Sequence, residues 1–394
     1  MSASTRLRSR AEGGLDLLNF FVADVQTGFG PFIAVYLTEQ RWTQIDIGFA
    51  LSIGTITAIL GQVPAGVLVD ALHDKGAAVG LSMLAIICSA LLFAIHPTVL
   101  SVYAAEVLHG FASCVLAPAI AAVSLALVGR AALGERLGRN ARFAAVGNGL
   151  AAGVMGIAGS YLSASSVFWL TAAFGLPALF LRPRIGRTEA RADVEHPFEW
   201  HAVRDMLADR RLLIFGGCVL LFHLSNAAML PIAADEATNC AGSLANIIIA
   251  AAIVVPQAVT AMLSPWVGRR AQTHGRRGVL LIGWAALPVR GVLLALLPNA
   301  SSLILLQIIG GLSAAVFGVM MPLLAADLTR ASGRYNLGMG MLGLTVFVGA
   351  TISTTYAGWL ATVAGNRTAF LGLAAAGLAG TLLVWLAMPE TREA

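Results

Sequence analysis

The chain has 394 residues, of which 58% are hydrophobic and only 11% charged, with a mean hydropathy of +0.82 and a formal net charge of +5. That balance excludes a soluble protein of this length. Its long unbroken apolar runs exclude the alternating pattern of an outer-membrane barrel, since about 20 apolar residues carry one helix across a hydrocarbon core of about 30 Å. The expectation is an all-α, multi-pass membrane protein. The positive charge is no nucleic-acid footprint, because the basic residues sit in the breaks between apolar runs.

Residues 1–14 form a short tail carrying Arg6, Arg8 and Arg10. The first apolar run, Leu15 to Leu37, is too long, and too polar at Asp24, for a cleaved signal peptide, so it reads as a retained first span. Five more follow: Ile45 to Val69, Ala77 to Ile95, Val99 to Val123, Phe143 to Leu162 and Val167 to Leu181. Residues 182–211 make the longest break. Within it Trp200, Val203 and Leu207 fall at helical spacing, which fits either a short amphipathic helix on the membrane surface or a solvated linker. The second set is Leu212 to Ile232, Leu244 to Val267, Val279 to Leu297, Leu303 to Ala326, Leu337 to Leu360 and Thr368 to Ala387. This predicts twelve transmembrane helices in two six-helix bundles, over 15–181 and 212–388, with a tail at 389–394.

Lys and Arg accumulate in cytoplasmic connections. Arg6, Arg8, Arg10, Lys75, Arg130, Arg136, Arg139, Arg142, the run from Arg182 to Arg211, Arg269, Arg270, Arg276, Arg277, Arg330, Arg334 and Arg392 all fall on one side, against Arg41 and Arg367 on the other. Both termini are predicted to be cytoplasmic. The halves also resemble each other: Glu106 stands four residues before Gly110 and Gln307 four before Gly311, and both spans then reach a proline, Pro118 and Pro322. Internal repeats of this kind build many transporter folds, with the binding site at their interface.

Twelve spans in two halves, a long central loop and a basic loop after the second span of each half resemble the major facilitator superfamily. The first copy of its loop signature is Gly66, Asp70 and Lys75, with His73 where a second glycine is expected; the second is Gly268, Gly275, Arg276 and Arg277, with Gln272 in place of the acid. The resemblance implies a pseudo-symmetric bundle pair and a gating loop in which Asp70 pairs with arginines of a neighbouring segment, a pairing that breaks when the halves rock. An ordinary solvated charge at a helix end is the alternative for Asp70. Family drug exporters often carry an arginine where this chain has Glu106. Gly149, Gly153, Gly156 and Gly159 repeat part of the family's antiporter motif without its proline, and close helix packing also explains them.

At 1.5 Å per residue, Asp24 lies about 13 Å from the cytoplasmic end of its span, Glu106 about 20 Å, and His223 and Arg290 about 17 Å. Four ionisable residues thus share one layer, where a charge costs at least about 2.5 kcal/mol and is kept for a use. The resemblance implies that the first, fourth, seventh and tenth spans line a central cavity, placing Asp24, Glu106, His223 and Gln307 around it, with Gln26, Asn148, Asn226, Gln257 and Arg290 as further polar residues. Asp24, Glu106 and His223 are the expected proton-coupling or substrate residues, since a carboxyl or imidazole in such a layer can bind and release a proton during a cycle. For Asp24 the alternative is a structural acid bonded to Asn19 or Gln26; for His223, a satisfied core residue; for Arg290, a snorkelling or paired charge on a peripheral span.

The expected function is secondary active transport of a small organic molecule by alternating access, as proton-coupled export. Acidic midplane groups suit cationic or amphipathic cargo. The alternative is proton-coupled uptake of a small polar solute such as a sugar or organic acid, which for an anion needs Arg290 in the cavity. A scaffold or membrane enzyme is a third reading, but no Ser-His-Asp, Cys-His or zinc-binding arrangement and no nucleotide-phosphate loop stands out. Cys88, Cys114, Cys218 and Cys240 are scattered packing residues. The chain is expected to need no cofactor or metal, to bind protons, a small-molecule substrate and lipid but no nucleic acid, and to act as a monomer in a bacterial inner membrane.

Overall fold

A computed structural model of the chain describes residues 3–27, 31–72, 74–95, 97–185, 200–233, 245–297 and 300–391. Among them there is no strand. The helices are α1 (Ala3–Thr27), α2 (Pro31–Glu39), α3 (Gln44–Ala71), α4 (Lys75–Ile95), α5 (Val99–Val128), α6 (Leu133–Tyr161), α7 (Ser166–Ile185), α8 (Trp200–Ala208), α9 (Arg210–Asn226), α10 (Ala245–His274), α11 (Arg276–Leu296), α12 (Ala300–Leu328), α13 (Tyr335–Ala364) and α14 (Asn366–Ala387). Among the described residues, ten helical stretches are long and apolar enough to cross a membrane, and Ser166–Leu181 is a shorter apolar one.

Local chemistry sets several helix ends. The first apolar run is shared between α1 and α2, and α2 opens at Pro31, a position where the missing N–H costs no hydrogen bond. Thr98 and Ser101 form a capping box at the start of α5, and the Asp209 carboxylate accepts from Arg211 N and Leu212 N at the start of α9. Gly275, at φ +102°, separates α10 from α11 in a conformation that strains a side-chain-bearing residue. The stretch around Val203 is helical, as α8, with Met206 buried and Arg204 and Asp205 exposed.

The chain divides into two compact units. The first comprises Met1–Leu133, Phe143–Phe198 and Gly333–Gly340, and the second Gly134–Arg142, Glu199–Ser332 and Met341–Ala394. In the first, α3 and α4 pack on α5, and α7 packs on α1 and α4. In the second, α10 and α11 pack on α12, and α14 packs on α9 and α11. The same pairings recur one for one, which is the structural form of the internal repeat.

Lipid offers no hydrophobic drive for helix association, so close backbone approach and buried polar contacts must hold each unit together. The two glycines singled out by the repeat do this job. A Cβ at Gly110 would lie 2.9 Å from Gly54 O, and one at Gly311 2.8 Å from Pro256 O, so each glycine lets a neighbouring helix backbone press in. Aromatic groups lock the remaining crossings. In the first unit the Tyr36 hydroxyl donates to Phe93 O at 2.7 Å while Phe93 stacks on Phe168. In the second, Trp284 Nε1 donates to Cys218 O at 2.9 Å and its ring meets Phe222 at 4.7 Å.

Candidate functional site

The polar contacts that bear on function lie at helix ends and around two buried ionisable side chains, Glu106 and Arg290. Asp70 lies in the last turn of α3, within the first unit. The first turn of α13 has N–H groups that no helical carbonyl satisfies, and Arg334, whose carbonyl receives Gly338 N, has no side-chain acceptor to cap them. Asp70 supplies the cap from another helix. Its Oδ1 accepts from Asn336 N at 3.1 Å and Asn336 Nδ2 at 2.6 Å, and its Oδ2 from Leu337 N at 2.8 Å. The expected arginine partner is therefore replaced by amide donors at a helix N-terminus, an equally good seat for a carboxylate. Gly66 makes the approach possible, since a Cβ there would lie 2.3 Å from Asn336 O, and Gly340 does the same against Gln62 O. Lys75 Nζ donates to Val69 O and Leu72 O at 3.0 and 3.1 Å, closing the end of α3.

The second unit repeats the arrangement with different atoms. A Cβ on Gly268 would lie 2.1 Å from Gly134 O, one on Gly138 2.5 Å from Ser264 O, and Gln272 Oε1 accepts from Gly134 N at 3.2 Å. Gln272 stands where the motif's acid is expected, so a neutral amide serves there. Arg276 Nε pairs with Asp327 Oδ2 at 3.0 Å, and its NH1 donates to Ala271 O at 2.7 Å. Glu390 caps α11 from the far end of the chain, accepting from Arg276 N at 2.8 Å and Arg277 N at 3.1 Å. Arg277 NH2 also donates to Trp385 O.

The first is Glu106 on α5, 4% exposed, whose Oε1 is buried without a hydrogen-bond partner among the described residues. A Cβ added at Gly54 of α3 would lie 2.0 Å from its Oε2, so the carboxyl occupies the space that glycine leaves. One turn further along, Gly110 meets the Gly54 carbonyl. The acid therefore sits at the tight crossing of α3 and α5.

The second is Arg290 on α11, 3% exposed. Its head meets two of the other polar residues of the expected layer: NH1 donates to Asn226 Oδ1 at 2.9 Å and NH2 to Gln307 Oε1 at 3.0 Å. Arg290 Nε and Gln307 Nε2 are both buried without a hydrogen-bond partner among the described residues. Three of the expected polar residues are thus brought together. His223, one turn before Asn226 on α9, stands apart from them: its Nδ1 is 3.3 Å from Val219 O and its ring contacts Phe222 and Phe317, with centroids 5.3 and 4.6 Å away.

Gln257 on α10 and Asn148 on α6 are half-buried. Asp24 and Gln26 fall on α1, but their side chains lie outside the described residues, as does His73. Asn19, weighed as a partner of Asp24, donates its Nδ2 to Leu15 O at 2.7 Å. Sequence reasoning missed Asp327, Glu390 and Gly54. An acid ending an apolar run was a usable signal for Asp327; nothing in the sequence marks Gly54 off from the other glycines. No group of three or more potential metal ligands occurs among the described residues.

Comparison with known proteins adds three findings. The family profile described as Major Facilitator Superfamily matches residues 15–254 and 218–394. The MFS-type transporters Rv2456c and MT2531, from two strains of Mycobacterium tuberculosis, are each 35% identical over 392 residues, covering 97% of this chain and 94% of theirs. Among solved structures, the human organic anion transporter MFSD10 superposes with a TM-score of 0.77 at 15% identity, covering 96% of this chain and 99% of its own. The E. coli fucose:proton symporter FucP gives 0.73 at 14% identity, covering 97% and 98%. The nucleoside transporter NupG gives 0.68 at 15%, covering 95% and 99%.

Proposed function

The chain belongs to the Major Facilitator Superfamily, and on that premise we propose that it is a proton-coupled secondary transporter that exports a small organic molecule by alternating access. Glu106 carries the coupling in this reading. An acid at the crossing of two spans, buried with an oxygen that no donor among the described residues serves, is a place for a proton or for a positively charged group of the cargo. Asp24 remains its proposed companion from α1, and His223 a relay imidazole. The network of Asp70 on the first turn of α13 is the gate that opens in each cycle, with Gly268, Arg276 and Arg277 ordering the corresponding region of the second unit. The cell membrane of a bacterium, in keeping with the bacterial source of the relatives, and a monomeric state complete the proposal, which includes no catalytic step.

The named solutes of the three superposing structures differ among an organic anion, fucose and a nucleoside, so they support transport without selecting a cargo. The buried Arg290, bonded to Asn226 and Gln307, favours a second reading, proton-coupled uptake of a polar solute. Both are tested in proteoliposomes holding the purified chain under an imposed pH gradient, with panels of cationic, neutral and anionic solutes. Glu106→Gln is expected to abolish gradient-driven flux while solute exchange persists, and the sign of net flux gives the direction. Full gradient-driven flux in Glu106→Gln would remove the coupling role.

A further inference from the structure

We infer that Arg290, Gln307 and Asn226 form a seat for a small anionic group, most simply the carboxylate of the transported solute. Only in naming the anion as part of the cargo does this rest on the transport reading above. A guanidinium carries five N–H donors and a full charge. Here it gives one hydrogen bond to Asn226 and one to Gln307, both to neutral amide oxygens, and no acidic side chain among the described residues pairs with it. Amide oxygens satisfy donors but do not neutralise charge, and a buried cation without a counter-charge is the costly half of an ion pair.

The unused donors point to what is missing. Arg290 Nε and Gln307 Nε2 are buried without partners among the described residues, and they belong to the two ends of one hydrogen bond, NH2 to Oε1 at 3.0 Å. An anion with two oxygens on one centre can accept from both, one oxygen from the guanidinium Nε and the other from the amide Nε2, the former a charge-assisted hydrogen bond. Gly310 keeps the seat open: a Cβ there would lie 3.2 Å from Arg290 Cζ and NH1 and 3.3 Å from Gln307 Oε1. The wall is rigid, since Trp284, six residues before Arg290 on the same helix, is fully buried and hydrogen-bonded to the Cys218 carbonyl of α9.

The test is thermal unfolding of the purified full chain in detergent, at one pH and one ionic strength, with sodium acetate, benzoate, phosphate or chloride. Wild type is expected to gain about 2 °C or more in Tm with at least one of these anions. Arg290→Gln should lose that gain. Gln307→Glu should unfold at a higher temperature than wild type and also lose the gain, because its own carboxylate occupies the seat; it decides the matter alone if Arg290→Gln does not fold. A response to acetate and benzoate only assigns the seat to a solute carboxylate, and an equal response to phosphate or chloride assigns it to a free ion. A wild type indifferent to all four anions, or an undiminished response in the variants, overturns the inference. Because no flux is measured, anion stabilisation without transport would count against the transport reading alone, and coupled transport without it against this one alone.

Discussion

Replacing Asp70 by Asn changes one oxygen into an NH2 group and leaves the shape nearly intact, so its effect isolates the charge that caps α13. In the wild type two backbone N–H groups and one side-chain N–H converge on the carboxylate, at 3.1, 2.8 and 2.6 Å. Asparagine offers a single acceptor oxygen, so at least one donor at the helix start loses its bond and the charge opposite the helix dipole disappears. Hydrogen bonds to charged groups contribute about 1.5 to 3 kcal/mol, and a carboxylate at a helix N-terminus up to about 2 kcal/mol in a partly buried setting. A loss of about 2 kcal/mol is therefore expected for the state that makes this contact, or roughly 30-fold in its opening equilibrium at 1.4 kcal/mol per factor of ten. Hydrogen exchange of the purified chain in lipid nanodiscs, read by mass spectrometry on peptides spanning Asn336 and Leu337, should show protection falling by about that factor. Protection within about threefold of wild type would refute the cap.

Three further outcomes follow from close contacts. Gly54→Ala places a methyl on the Glu106 carboxyl and is expected to reduce gradient-driven flux at least tenfold while the folded fraction, followed by size-exclusion chromatography, stays near wild type; unchanged flux would mean that the carboxyl's position is unimportant. Gly268→Ala collides with the Gly134 carbonyl and should cost about 1 to 3 kcal/mol as an overpacked contact, seen as a lower Tm. Glu390→Gln keeps one acceptor for the start of α11 and should lower Tm by about 2 °C, with Glu390→Ala lower still; equal Tm values for the three proteins would rule out the cap.

Much of the architecture was legible because apolar runs of span length, broken by charge, leave few alternatives. The repeat could be read too: Gly110 and Gly311, found by their offset from Glu106 and Gln307, turned out to be the two close-approach points against α3 and α10. Asp70 and Gly66 were visible as a motif, but their partners were not, since Asn336 lies 266 residues away and is an amide where arginine was expected. Depth along a helix can be counted from sequence, whereas the direction a side chain faces cannot. That is why Arg290 was assigned a layer but not its bonds to Asn226 and Gln307, and why His223 was placed with them although its ring belongs to an aromatic cluster.

The segment Gly333–Gly340 has a consequence for how the protein is made. Asp70 leaves the ribosome long before the residues that hold it, and the first unit remains unfinished at that end until most of the chain has been synthesised. The earlier contacts of α3, α4 and α5 are local and can form as they emerge, while this one closes a loop of 266 residues. Assembly thus leaves this long-range clasp for late in biosynthesis, and a chain arrested before residue 333 lacks Asn336 and Leu337, the donors that hold Asp70.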